Sequence, residues 1–156
     1  MNQTESSFWK RLKKRLESSY EQPVVTRVEN SSTPGIPDVI LCDSKKNIHL
    51  IELKVTKGNK VNISPHQVSF ATRHHSARVW MLIEKQSTDQ NQCYLYRSNS
   101  VMKLAELGIK EVQPDLIFDL AQDAETFLCW LKNSKKLDTL HERDVKTAKC
   151  LSYSKD

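Results

Sequence analysis

Two short aliphatic runs, Asp38–Cys42 and Ile48–Val55, are joined by only five residues, Asp43-Ser44-Lys45-Lys46-Asn47. Runs of this length, rich in β-branched residues and bounded by polar turn residues, predict the two strands of a hairpin. A hairpin constrains the chain strongly, because it decides which side chains face one another. With the turn centred near Ser44–Lys45, Asp38 falls about opposite Glu52. Directly opposed side chains on one sheet face sit roughly 5 Å apart, and like charges there are destabilising. The pair therefore calls for a cation, and hard divalent ions such as Mg²⁺ take oxygen ligands of this kind together with waters and phosphates. Lys54 lies two residues past Glu52 and shares its face. A lysine so placed can stabilise charge on a transferring phosphoryl group. Leu50 falls on the same face, while Ile51, Leu53 and Val55 take the other. By spacing alone, a wet sheet face carrying a cross-strand surface pair explains Glu52 and Lys54 equally well.

The flanking segments have their own periodicities. Residues 4–19 read as a helix, capped by Thr4 or Ser6, with Phe8, Trp9, Leu12 and Leu16 on one face. Glu5 belongs to that stripe, and an acid facing inward needs a partner. As a first-turn acid it also suits the helix dipole while staying wet. Pro23 ends the helix, and Val24–Glu29 alternates like a strand. Asn30 to Pro37 holds two of the five prolines and one of the three glycines, so it reads as a turn. After a polar loop at Lys57–Ile63, Ser64-Pro65 opens a helix running to about His75, with Ser64 as N-cap. In that helix Gln67, Phe70, Ala71 and His74 share one face, which turns Gln67 inward. Val79–Glu84 and Cys93–Tyr96 read as strands, and helices follow near 99–107 and 122–133. The order predicts an α/β or α+β domain, a mixed sheet with helices on its faces. The domain spans 1–133, and 134–156 is a polar tail or loose helix.

Composition narrows the partners. The 156 residues suit one domain, and no apolar run approaches the roughly 20 residues of a membrane span. The polar N-terminus lacks the apolar core of a secretory signal, so a cytoplasmic protein is expected, in the host cytoplasm if phage-encoded. The four cysteines contain no C-x-x-C pair and read as small, reduced and mostly buried. His66, His74 and His75 lack metal-ligand spacing and read as surface or partly buried residues. Lysine and arginine total 24 against 19 acids, and five of the six residues from Lys10 to Arg15 are basic. Such a run can face phosphates or simply be solvated. Residues 113–125 carry four acids and no base, and would repel phosphates.

Gly35-Ile36-Pro37-Asp38, then Glu52-Leu53-Lys54, then Ser64-Pro65-His66-Gln67 together resemble the signature of the PD-(D/E)xK nuclease superfamily. The run is similar to the VRR-NUC branch, with its G-x-P-D strand, E-x-K strand and helix opening with S-x-x-Q. Small phage endonucleases and Holliday-junction resolvases share this core. The resemblance covers about residues 5–84 and implies a restriction-endonuclease-like core, with additional C-terminal helices. It implies Asp38, Glu52 and the Leu53 main-chain carbonyl as ligands of Mg²⁺, with Mn²⁺ as substitute. It implies Lys54 as the catalytic lysine, and Gln67 as the residue that orients the lysine or contacts the attacking water. Glu5 matches the first-helix acid near the metal, with Glu17 as its competitor. His49 and His66 are not required by the pattern. Glu29 has no firm role, and Asn30, Ser31 and Ser32 sit where resolvases present a backbone-contacting loop. The implied activity is an endodeoxyribonuclease acting on duplex or branched DNA and leaving 5′-phosphate ends. Lys10, Arg11, Lys13, Lys14, Arg15, Lys57 and Lys60 are the candidates for backbone contacts. Symmetric cutting of a junction implies a homodimer. The alternatives are a non-catalytic DNA-binding module on the same fold and an accessory protein that binds a partner through its acidic half.

Overall fold

In the computed structural model of the chain, residues 3–135 are described. The expected tail at 134–156 lies outside them from residue 136 onward. The elements are α1 (Gln3–Glu17), β1 (Val24–Arg27), β2 (Val39–Cys42), β3 (Ile48–Thr56), α2 (Pro65–Arg73), β4 (Val79–Lys85), β5 (Gln92–Arg97), α3 (Val101–Leu107), β6 (Leu116–Phe118) and α4 (Leu120–Asn133). A short 3-10 turn at Ser98–Ser100 leads into α3. The strands form one six-stranded sheet in the order β1-β2-β3-β4-β5-β6. β3 and β4 are parallel, and every other neighbouring pair is antiparallel. The protein is thus α/β with a mixed sheet flanked by helices. β6 escapes sequence reasoning because three residues are too few to show alternation.

Side-chain alternation divides the sheet into two cores. On one face, α1 and α4 cover Val39, Leu41, Ile51, Leu53, Trp80, Leu82, Cys93 and Leu95. On the other, α2 and α3 cover Met81, Ile83 and Tyr96 together with Val61. Phe8, Leu12 and Leu16 of α1 are fully buried. Each such side chain stabilises the fold by roughly 1.5–3 kcal/mol, so α1 is firmly seated, and Glu5 is carried with it. β4 reads as an unbroken apolar run because it lies inside the sheet with helices over both faces. α4 begins two residues earlier than its apolar pattern predicts. Asp119 caps it by accepting from the Ala121 N–H at 2.8 Å, and Asp123 leaves helical angles (φ −119°, ψ 26°), separating that first turn from the amphipathic part.

Two close approaches fix the loops around β3. Gly35 has φ +88°, and a Cβ there would meet the His66 carbonyl oxygen at 2.4 Å. The G-x-P-D turn therefore packs its backbone directly on the first turn of α2, which only glycine permits. On the other side of the β3–α2 loop, Asn59 Oδ1 accepts from the Lys110 N–H at 2.7 Å and Asn59 Nδ2 donates to the Leu107 carbonyl at 3.2 Å. This bonds the loop to the C-terminal end of α3, whose orphan carbonyls need partners.

Candidate active site

The hairpin register pairs Val39 with Ile51. Continued by one residue, it sets Asp38 opposite Glu52, immediately before β2 begins. The Asp38 carbonyl accepts from the Val28 N–H at 2.7 Å, which holds this residue against β1. Its carboxyl oxygen Oδ2 accepts from the Leu53 N–H at 3.0 Å. Glu52 faces the same side and is only 7% exposed. The face is therefore not wet, and an ordinary solvated surface pair is not what Glu52 and Lys54 form. Leu53, between them, sends its own side chain into the opposite core.

Three further groups converge on the carboxylates. Gln67 Nε2 donates to Glu52 Oε1 at 2.5 Å. Lys54 Nζ lies 3.6 Å from the same Glu52 oxygen and 3.9 Å from Glu5 Oε1. The Lys54 and Glu5 side chains are 11% and 12% exposed, respectively. The first-helix acid at this point is Glu5. Glu17 is half exposed and pairs with Lys13 one turn back, at 3.8 Å. Burial pushes the Glu52 carboxyl up to about 8, and the adjacent Asp38 charge adds to it; Lys54 works in the opposite direction, while a hydrogen bond to Asp38 and the Glu5 charge raise it further. Removal from water penalises the ionised form, and a neighbouring like charge does the same.

This crowding is a test of fit for a divalent ion. Each carboxylate already has one oxygen engaged by the protein, Asp38 through Oδ2 and Glu52 through Oε1. The second oxygens belong to two carboxyl groups that repel each other when both are ionised. Oxygen-only donors of this kind suit Mg²⁺ or Mn²⁺. Among the described residues, no three side chains of His, Cys, Asp and Glu are grouped as a complete ligand set. The residues fit a site of two carboxylates completed by main-chain oxygen, water or substrate.

The basic residues divide into two groups. Lys10, Lys13 and Lys14 are exposed along the outer side of α1, and Lys57 and Lys60 are exposed on the β3–α2 loop. Arg11 is exposed as well, and it also has a partner inside the protein. Its two terminal nitrogens fork onto Glu84 at 2.5 and 2.7 Å, and the Glu84 side chain is 1% exposed. The physical reason is that a buried carboxylate needs a partner, and Arg11 is the cation within reach. Arg15 is exposed, with its Nε donating to the Leu120 carbonyl at 3.2 Å. Glu29 is exposed and lies 3.6 Å from Arg27, remote from the carboxylate pair in role. Asn30 closes its own turn, its Oδ1 accepting from the Ser32 and Thr33 N–H groups.

Sequence reasoning missed a second buried polar cluster on the opposite face. His49 is fully buried. Its Nε2 lies 2.8 Å from Asp43 Oδ2, and its Nδ1 accepts from Trp80 Nε1 at 3.1 Å. Because the indole only donates, Nε2 carries the imidazole proton and donates to Asp43. Asp43 also accepts from the N–H groups of Lys45 and Asn47 and from Asn47 Nδ2. The available signal was a histidine at an inward position of β3, which alone does not name its partners. His66 and His75 are exposed and His74 is half-buried. Cys93 is buried, while Cys42 and Cys129 are half-buried. No described helix is long and apolar enough to cross a membrane.

No protein-family model matches the chain, and a search of the curated proteins found no match to it.

Proposed function

We propose that the chain is a divalent-metal-dependent DNA endonuclease with a restriction-endonuclease-like core. One observation carries this reading. Glu5 from α1, Asp38 before β2, Glu52 and Lys54 from β3 and Gln67 from α2 meet at a single, largely buried spot centred on Glu52, although 62 positions separate the first from the last. A fold gains nothing in stability from gathering three acids and a lysine out of water; the gathering makes sense as chemistry.

Asp38 and Glu52 would hold a Mg²⁺ or Mn²⁺ ion, with the Leu53 carbonyl as the third protein donor. Such an ion supplies Lewis-acid polarisation and charge neutralisation at the scissile phosphate. Lys54 is anchored between Glu52 and Glu5, so its charge faces the phosphate on which negative charge develops. In-line attack of water on phosphorus, with the 3′-oxygen leaving, gives 5′-phosphate and 3′-hydroxyl ends. Lys10, Lys13, Lys14, Lys57 and Lys60 would contact the DNA backbone, which positions the duplex without reading sequence. Arg11 and Arg15, which each also hold a partner within the protein, complete that set. Branched substrates such as four-way junctions fit a homodimer, because symmetric cutting needs two active sites.

The test is incubation with linear, nicked, flapped and four-way DNA, with and without Mg²⁺ or Mn²⁺. Cutting that requires the ion, with preference for a branched form, is expected. A band shift that is independent of metal, steeply salt-dependent and accompanied by no cutting would replace this reading with that of a DNA-binding module.

A further inference from the structure

The hydrogen bonds of Gln67 form a closed set. Ser64 and Gln67 make a capping box: Ser64 Oγ accepts from the Gln67 N–H at 3.2 Å, and Gln67 Oε1 accepts from the Ser64 N–H at 2.9 Å. A backbone N–H can only donate, so the carbonyl end of the Gln67 amide must face Ser64. The NH₂ end is then aimed at Glu52 Oε1, which it reaches at 2.5 Å. Lys54 approaches that same oxygen. A hydrogen-bond donor and a cation therefore converge on one oxygen of Glu52. The same turn of α2 is packed from outside, because Gly35 lies without a Cβ against the His66 carbonyl.

We infer that Ser64 is a positioning residue for the carboxylate pair: through the capping box it sets the Gln67 amide as a donor to Glu52, which fixes the oxygen that Glu52 presents to a ligand. This goes beyond the N-cap role, and it rests on the nuclease reading for its consequence in catalysis. Family resemblance implies that Gln67 orients the lysine or contacts the attacking water, and its hydrogen bond to Glu52 comes beside those roles. Gln67 acts on Glu52.

Two variants of Ser64 separate the parts. Ser64→Ala removes the hydroxyl and keeps the N–H. Ser64→Pro removes both, at a φ of −75° and ψ of 156° that proline and a residue preceding Pro65 readily adopt. Ser64→Thr keeps both. Asp119→Ala serves as the control, since it deletes the side-chain cap of α4, far from Glu52 in role. Loss of a group that orients a ligand typically costs 10- to 100-fold in metal affinity or activity. The half-saturating Mn²⁺ concentration for cleavage should rise about 10-fold in Ser64→Ala and about 100-fold in Ser64→Pro. The KM for DNA should stay unchanged, Ser64→Thr should recover wild-type behaviour, and Asp119→Ala should leave the Mn²⁺ dependence alone. A second readout needs neither metal nor activity. In ¹⁵N-labelled metal-free protein, the Gln67 side-chain amide protons should exchange slowly in the wild type, faster in Ser64→Ala and fastest in Ser64→Pro, which alone loses the N–H that holds Gln67 Oε1.

Equal Gln67 amide protection in the wild type and folded Ser64 variants overturns the inference, as does a Mn²⁺ dependence that moves no more than in Asp119→Ala. A wild type without divalent-dependent cutting sinks the nuclease reading instead, and the amide signal still decides the positioning role. If Ser64→Pro does not fold, Ser64→Ala and the amide exchange decide.

Discussion

The two faces of β3 each carry a buried ionisable cluster, and the clusters are built on opposite principles. On the α1/α4 face, Asp43, His49 and Trp80 match donor to acceptor throughout, with His49 neutral between an indole N–H and a carboxylate. On the α2/α3 face, Glu52 lies against Asp38 and near Glu5, with Lys54 and Gln67 beside them. The first cluster is complete within the protein. The second gathers three carboxyl groups around one lysine. A fold can hold such a cluster only where surrounding packing over-determines it, and that is where a ligand contributes most.

Removing His49 should have the largest effect on stability. His49→Ala leaves the buried Asp43 short of a donor and Trp80 Nε1 without an acceptor, and breaking a buried pair of this kind costs roughly 3–5 kcal/mol. Chemical denaturation should show this loss, and a change below 1 kcal/mol would mean that the Asp43 cluster does not hold the hairpin. Next in size is Lys54→Ala, which should lower cleavage by roughly 10²–10³-fold, the usual consequence of deleting one preorganised charge-stabilising donor. Its melting temperature should stay close to wild type. Cleavage at the wild-type rate would falsify the role of Lys54.

The two clusters should also show opposite pH signatures. Glu52 titrates at about 8 in the fold against an ordinary value of 4.5. The folded state therefore holds a proton that the unfolded state releases, and metal-free stability should decline as pH rises from about 4.5 to about 8. His49 is shifted down from 6.5, chiefly by burial, with Asp43 opposing the shift and Arg78 and Arg97 adding to it. There the unfolded state binds the extra proton, so stability is lost as pH falls below 6.5. Glu52→Gln should flatten the alkaline limb by about 1–3 kcal/mol and leave the acid limb intact. Thermal melts across pH check this, and an alkaline limb that survives the substitution would assign it to another group. Mg²⁺ or Mn²⁺ should stabilise the wild type at pH 8 and have little effect on the Asp38→Asn, Glu52→Gln double variant.

The smallest effect separates the two kinds of basic residue on α1. Replacing both Lys13 and Lys14 with alanine should lower the salt slope of duplex binding by about 1.8, at roughly 0.9 per lost phosphate contact. Arg11→Ala should lower the melting temperature as well, because Glu84 would remain buried without its partner. An unchanged slope in the double lysine variant would move the DNA path to the loop carrying Lys57 and Lys60.

Much of this organisation was legible locally. Strand alternation, the five-residue turn and the Ser64-Pro65 cap set the hairpin and α2. They also put Asp38, Glu52 and Lys54 on one face, since the period of a strand is two. The apolar stripe of α1 marked Glu5 as an inward acid. Where each charge finds its partner was not local. Arg11 and Glu84 lie 73 residues apart, and Lys54 and Glu5 come from elements whose spacing no periodicity describes. Arg11 looked identical to Lys10 and Lys13 in the basic run. Only the packing of α1 on the sheet turned it towards Glu84, a buried carboxylate that needs a partner. Helical and strand periods decide which way a side chain points; desolvation decides which buried charge must be met, and that depends on every element that excludes water around it.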